Sequence, residues 1–417
     1  AWVADSALSQ QARYQRRRAT DGTVLSEAHS DVLGFTSSPV ATVYVNGSPC
    51  TASAAGTQPA SVGLACLDAV TGGSIWTASV PLLDTGERVT ALQMTALGTN
   101  RLLLHASTRL QITGGELPRD HLYAIDAASG IVHWHSIRLG LLGMLVGADA
   151  DVYVNDIDCA TPPVCPNASY LLRKLAGATG AELWTRPDAL APLAAGGGVM
   201  VGWLQEPARR GFQALDAATG VERWLFPVTI TAPVAPAALM TSSGALIIKH
   251  EPNIGIKRSV EVRRLDPSDG SEVYALTPSS AAVRTELGLM HESMAGDLLV
   301  TAAQSGGAWL LRARTSDGVP VWQSYPPALP GESRWVRFAG TRPIGDWAYQ
   351  IRKHGQWLER RALSRLGPLT GALSGEHLYA TAVPQLGGSY GAVALMETFP
   401  DGGALALDRS DSVHGLT

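Results

Sequence analysis

The sequence predicts an all-β chain folded as a single eight-bladed β-propeller of four-stranded antiparallel blades. Three observations lead there. A short turn-centred pattern recurs along nearly the whole chain. Its copies are about 50 residues apart, within the range of propeller blades. Each period also holds four runs of β-type residues, the content of one blade.

The pattern is clearest in three copies. Cys66-Leu67-Asp68-Ala69-Val70-Thr71-Gly72 is followed by Trp76, Ala124-Ile125-Asp126-Ala127-Ala128-Ser129-Gly130 by Trp134, and Ala214-Leu215-Asp216-Ala217-Ala218-Thr219-Gly220 by Trp224. The shared order is A-x-D-x-x-T-G-x-x-x-W. Weaker copies run from Lys174 to Trp184 through Gly180, from Arg264 to Tyr274 through Gly270, and from Arg312 to Trp322 through Gly318. Degenerate copies surround Asp21-Gly22 and Thr370-Gly371, and a partial one covers Ala406 to Ser412.

Helical solenoids share this period, so the local pattern decides. Leu122–Asp126 is a β-type run, Ser129-Gly130 a turn, and Ile131–Trp134 a second run. This is a tight hairpin with glycine where φ must be positive, and an Asp placed to bond amides across the turn. Two further strands precede it, at Ala91–Leu97 and Arg101–His105. The next period repeats them at Gly143–Val146 and Asp151–Val154. No segment sustains a 3.6-residue period, so helix content should be small.

The ends carry the topology. Only about 20 residues precede the first glycine, too few for a blade. The last copy breaks off after its third strand. The two ends therefore make one blade between them, the N- and C-terminal strands close the ring, and residues 1–417 form one domain. Seven blades are the alternative, because the copy at Gly371 is poor.

Composition bounds the partners. The chain is 46% hydrophobic and 16% charged, with 44 Gly and 25 Pro, and its net charge is −4. A nucleic-acid binder would be strongly basic. No apolar run approaches the roughly 18 residues of a membrane-spanning helix. The start at Ala1, with no initiator Met, reads as a mature or trimmed form. A lipid anchor upstream of Ala1 remains open.

The repeat resembles that of the quinoprotein dehydrogenases and of the outer-membrane assembly lipoprotein BamB, where A-x-D-x-x-T-G-x-x-x-W is the tryptophan-docking motif. The resemblance covers nearly the whole chain. It implies that Trp76, Trp134, Trp184, Trp224 and Trp322 pack against a neighbouring blade, with Tyr274 substituting in one. An indole suits that role, since it buries a large apolar area and offers one N–H to a carbonyl. The enzymes of this superfamily hold pyrroloquinoline quinone over Ca²⁺, under a disulfide between adjacent cysteines. This chain has no Cys-Cys pair and is shorter. No catalytic residue, cofactor or metal is assigned.

The remaining constellations have plain readings. Asp149/Asp151 and Asp156/Asp158 lie at strand ends, where carboxylates are ordinarily solvated; a hard cation needs more oxygens than either pair offers. His133 and His135 share a strand face by the two-residue period and read as surface histidines. No nucleophile elbow, zinc helix or phosphate loop occurs. Gly196-Gly197-Gly198 is a turn feeding a strand. Arg16-Arg17-Arg18 and the run from Arg352 to Arg365 read as solvated faces or a patch for an acidic partner or lipid headgroup. Trp203, Trp309, Trp335, Trp347 and Trp357 fall outside the docking positions and read mainly as blade core.

Four cysteines allow three pairings. Cys50 follows Val43–Asn46, read as a second strand, and Cys66 begins the third. Cys159 follows the second strand Val152–Val154, and Cys165 precedes the third at Tyr170–Leu172. Each pair brackets the same hairpin loop in a different blade, which favours Cys50–Cys66 and Cys159–Cys165. Disulfides place the chain in the periplasm, at the cell surface or outside the cell. The expected function is a non-catalytic scaffold or assembly factor that binds a protein partner of the cell envelope. A quinone-dependent oxidoreductase with a degenerate site, or a sugar-binding propeller, is the alternative.

Overall fold

The computed structural model describes residues 40–324 apart from several loops, among them 55–60, 82–85, 159–168, 229–235 and 277–289. Outside that span it describes strand backbones alone. The chain divides into two units, one of Ala1–Asp5, Gln15–Leu25 and Val228–Thr417, the other of Ser6–Tyr14 and Ser26–Pro227.

The second unit holds four antiparallel sheets, each of four sequence-adjacent strands. Sheet I is Val40–Val45, Ser48–Ala54, Ser61–Leu67 and Ser74–Pro81. Sheet II is Glu87–Leu97, Arg101–Ile112, Gly115–Asp126 and Val132–Arg138. Sheet III is Gly143–Val146, Val152–Asp158, Ser169–Leu175 and Glu182–Pro187. Sheet IV is Leu190–Gly196, Val199–Leu204, Gly211–Asp216 and Glu222–Pro227. The first unit repeats the plan. Sheet V is Ala237–Met240, Leu246–His250, Glu261–Leu265 and Glu272–Leu276, and sheet VI is Met290–Glu292, Leu298–Gln304, Gly307–Ala313 and Pro320–Ser324. Sheet VII is Glu332–Phe338, Trp347–His354, Leu358–Leu366 and Leu373–Ala382. In the same unit Trp2–Asp5 runs parallel to Ala404–Leu407, with Val3 opposite Ala406. No helix occurs among the described residues.

The middle strands are buried on both faces, so they read as unbroken apolar runs rather than alternating ones. All six residues of Val199–Leu204 are buried. Within each unit the cores accordingly lie between consecutive sheets. Leu103, Leu122 and Ala124 of sheet II pack with Val152 and Val154 of sheet III. Val62 and Leu64 of sheet I pack with Leu104 and Tyr123 of sheet II. Ile247 and Val262 of sheet V share a core with Leu298 and Val300 of sheet VI.

The repeated sequence pattern builds one repeated turn. Asp126 Oδ1 accepts from the amides of Ala128 and Ser129 and from the Ser129 hydroxyl. Asp216 does the same with Ala218 and Thr219. Gly130 closes the turn at φ 75°, where an L side chain is strained.

A β-bulge follows each turn. Ala124 pairs with Trp134 but Ile125 with Val132, so His133 has no cross-strand partner. Ile75, Leu183, Arg223, Val273 and Val321 occupy the same place in sheets I, III, IV, V and VI. A bulge throws its extra residue outward and re-aims the next one. Hence Ile75, Leu183, Val273 and Val321 are exposed aliphatics, while the aromatic after each points along the stack.

Four of these aromatics make one recurring contact. Trp76 Nε1–H donates to Ala127 O at 2.9 Å, Trp134 to Gly177 O at 2.9 Å, and Trp184 to Ala217 O at 3.1 Å. Tyr274 reaches Thr315 O through its hydroxyl at 3.2 Å. The acceptor always lies three residues before the turn glycine of the next sheet. The ring itself covers that glycine: a Cβ on Gly130 would fall 2.6 Å from Trp76, and one on Gly180 2.8 Å from Trp134.

Candidate functional site

The cysteines come first among the residues singled out by sequence. Cys50 and Cys66 are disulfide-bonded. Their place differs from the reading above. Val40–Val45 is the first strand of sheet I, not the second, and Cys50 lies inside the second strand directly opposite Cys66. A short turn at Asn46, which takes a positive φ of 51°, ends the first strand there and starts the second two residues later. The bond therefore ties two paired strands rather than a loop, and both residues are 0% exposed. Cys159 and Cys165 lie outside the described residues. Trp224 and Trp322 are buried.

The acidic pairs are engaged by cations of the chain itself. Asp149 and Asp151 each lie 2.9 Å from the buried Lys174 Nζ. Lys174 also donates to Ala217 O at 3.0 Å. Burial works against the Asp149 charge, but Lys174, the Asp151 amide and the Tyr153 hydroxyl together outweigh it and hold the carboxyl below its ordinary range. Asp151 Oδ1 accepts the Gly177 amide. That supports a turn whose own sequence has Ala176 where sheets I, II, IV and V have Asp68, Asp126, Asp216 and Asp266. Asp156 pairs with Arg173 at 3.0 Å and Arg138 at 3.4 Å. Its burial still pushes its pKa up, the arginines opposing without cancelling. Among the described residues no three of His, Cys, Asp and Glu are placed to hold a metal ion. Trp203 and Trp309 are buried, Trp203 edge-on to Phe212. The side chains of Trp335, Trp347 and Trp357 lie outside the described residues, as do those of the two basic runs.

Sheet II holds what sequence reasoning missed. Its second and third strands have 12 residues each, against 6 or 7 in sheets III and IV. The extra length carries a polar cluster on each face. On the face toward sheet I, Glu87 and His121 are fully buried. His121 Nε2–H donates to Glu87 Oε1 at 2.7 Å, and the Thr108 hydroxyl donates to the same oxygen. Glu87 Oε2 has no hydrogen-bond partner. His121 Nδ1 stands 3.2 Å from His135 Nε2. His135 lies flat on Tyr123, ring centroids 4.2 Å apart, and the Tyr123 hydroxyl donates to Pro81 O at 2.8 Å. Burial, with Glu87 adding to it, pushes the Tyr123 pKa up to about 12. His135 is thus not the surface histidine expected. The bulge separates it from His133, which is exposed and 3.8 Å from Asp126.

On the opposite face Asp120 Oδ1 is 2.7 Å from His105 Nε2 and accepts the Ser107 hydroxyl at 2.8 Å. Asp120 Oδ2 accepts the Leu141 amide. Burial raises the Asp120 pKa, but these hydrogen bonds outweigh it and leave the carboxyl below its ordinary range. The set has the residue types of a hydrolase triad without the geometry. A relay needs the carboxylate and the hydroxyl on opposite ring nitrogens. Here both meet Nε2, since Ser107 Oγ is 3.2 Å from it. The Glu87–His121–His135 line has the other geometry, with different nitrogens of His121 facing its two neighbours. It can pass a proton between a buried carboxylate and a half-buried imidazole.

Stacked four-stranded sheets joined by this turn, bulge and aromatic define the chain as a β-propeller of quinoprotein-like repeats. Residues 60–335 match the family described as outer membrane protein assembly factor BamB, and the chain belongs to that family. No curated protein matches it. Solved structures similar to it include BamB from Moraxella catarrhalis, at 13% identity and TM-score 0.44, covering 84% of this chain and 92% of that one. The quinohemoprotein alcohol dehydrogenase ADHIIG from Pseudomonas putida HK5 is similar at 11% identity and TM-score 0.45, covering 84% and 69%. No helix among the described residues is long and apolar enough to cross a membrane.

Proposed function

We propose that the chain is a non-catalytic, extracytoplasmic β-propeller that binds a protein partner of the cell envelope as a scaffold or assembly factor. The observation that carries this reading is the match of residues 60–335 to an outer-membrane assembly factor family. The Cys50–Cys66 disulfide supports an oxidising compartment. Affinity capture after cross-linking in the native envelope tests it. A reproducible protein partner is expected. A stoichiometric chromophore absorbing visible light, with no protein partner, overturns it in favour of quinone chemistry.

The reading includes one domain over residues 1–417, eight blades, and closure by the terminal strands. The parallel pairing of Trp2–Asp5 with Ala404–Leu407 supports closure. It also includes docking roles for Trp76, Trp134, Trp184, Trp224, Trp322 and Tyr274, and a Cys159–Cys165 bridge. Oxidising the Val3→Cys, Ala406→Cys variant should give a cross-link in the folded chain and none in urea. Peptide mapping of the same non-reduced sample should recover Cys159 joined to Cys165. Equal cross-linking in urea, or a free Cys159, refutes the respective element.

A further inference from the structure

On the face of sheet II toward sheet I, one line of polar groups runs from the first strand to the fourth. His121 is gripped on one side by Glu87 and on the other meets His135 across 3.2 Å. That gap holds one proton. With one proton there the rings are joined, whichever ring owns it. With a proton on each nitrogen, two N–H groups face each other and the contact turns repulsive. His135 is the ring free to yield, because His121 is fully buried and anchored by Glu87, whereas His135 is half-buried on the sheet's last strand. Its departure would uncover Tyr123, whose hydroxyl is the joint to Pro81 at the end of sheet I.

We propose that these groups form an acid-sensitive latch between sheets I and II: a second proton on the His121–His135 pair turns His135 off Tyr123 and loosens the Val132–Arg138 strand and the Tyr123–Pro81 contact. The charged and titratable groups around the pair fit a latch closed at neutral pH. The first strand supplies Glu87, the second the uncharged Thr108, and the third Tyr123 and Arg119. The fourth supplies His133, which is turned out by the bulge toward Asp126. Sheet I presents the apolar Val62, Leu64 and Val80. Burial first, then the neighbouring His121, holds the His135 pKa below its ordinary value, with Glu87 opposing. A depressed folded-state value means that the unfolded chain binds the proton more readily. The His135 contribution is therefore complete above the ordinary imidazole range of about 6.5 and is lost as pH falls below it.

Hydrogen–deuterium exchange of the full chain at about pH 7.5 and about pH 5.5, corrected for intrinsic rates, tests the latch. Protection of Val132–Arg138 should fall about ten-fold at the lower pH, while the histidine-free strand Glu222–Pro227 stays unchanged. His135→Phe, which keeps a ring on Tyr123 and takes no proton, should abolish the response. His135→Gln serves should the Phe variant not fold. Equal protection at both pH values overturns the proposal, and so does the same loss in either variant.

Discussion

Replacing Trp134 with alanine should cost about 3–5 kcal/mol of stability, the range for emptying a buried indole site. Trp134 is buried, covers Gly180, and donates its only N–H to Gly177 O. The informative partner is Gly180→Ala. Gly180 takes φ +71°, and its new Cβ would lie 2.8 Å from the Trp134 ring. Two costs follow, roughly 1–2 kcal/mol for the left-handed backbone and about 1–3 kcal/mol for overpacking. Only the second depends on the indole. In the double variant the overpacking cost disappears, so the two changes should be less than additive by about 1–3 kcal/mol. Urea unfolding midpoints of the four proteins measure this. Strict additivity would mean that the ring and the glycine do not press on each other.

The second large effect concerns His121. His121→Leu leaves the Glu87 carboxylate fully buried with the Thr108 hydroxyl as its remaining partner. Stranding one member of a buried pair costs about 3–5 kcal/mol, whereas replacing both by apolar groups of similar volume is close to neutral. Glu87→Met combined with His121→Leu should therefore regain most of the loss. Calorimetric melting of the two variants decides it. A double variant no more stable than His121→Leu alone would mean that the cavity, not the stranded charge, sets the cost.

The turns and strand pairs were legible in the sequence because each rests on local chemistry. Asp126, Ser129 and Gly130 are contiguous, and their bonds close within a few residues. The same holds for Asp216, Thr219 and Gly220. The buried face of sheet II was not legible. Glu87 and His121 are 34 residues apart, and His105 and Asp120 are 15. They meet only through the register of three strands. Nothing local foretells that two of those strands run to 12 residues. The two-residue period also failed at His133 and His135, because His133 is itself the bulged residue and breaks the alternation. Asp149 and Asp151 read as solvated strand-end carboxylates for a related reason. Their cation, Lys174, arrives from another strand.

The burial of Cys50 and Cys66 fixes a sequence of events. Exchange requires a thiolate to reach a sulfur directly. Both sulfurs belong to a core that includes Leu104 and Tyr123 of sheet II. Once sheet II has closed over sheet I, no oxidant or reductant of protein size can approach them. Catalysed formation of the bond is therefore expected while sheet I is paired but still uncovered. A bond so placed should resist protein thiol reductants for as long as sheet II covers sheet I, and yield to them once urea has separated the two.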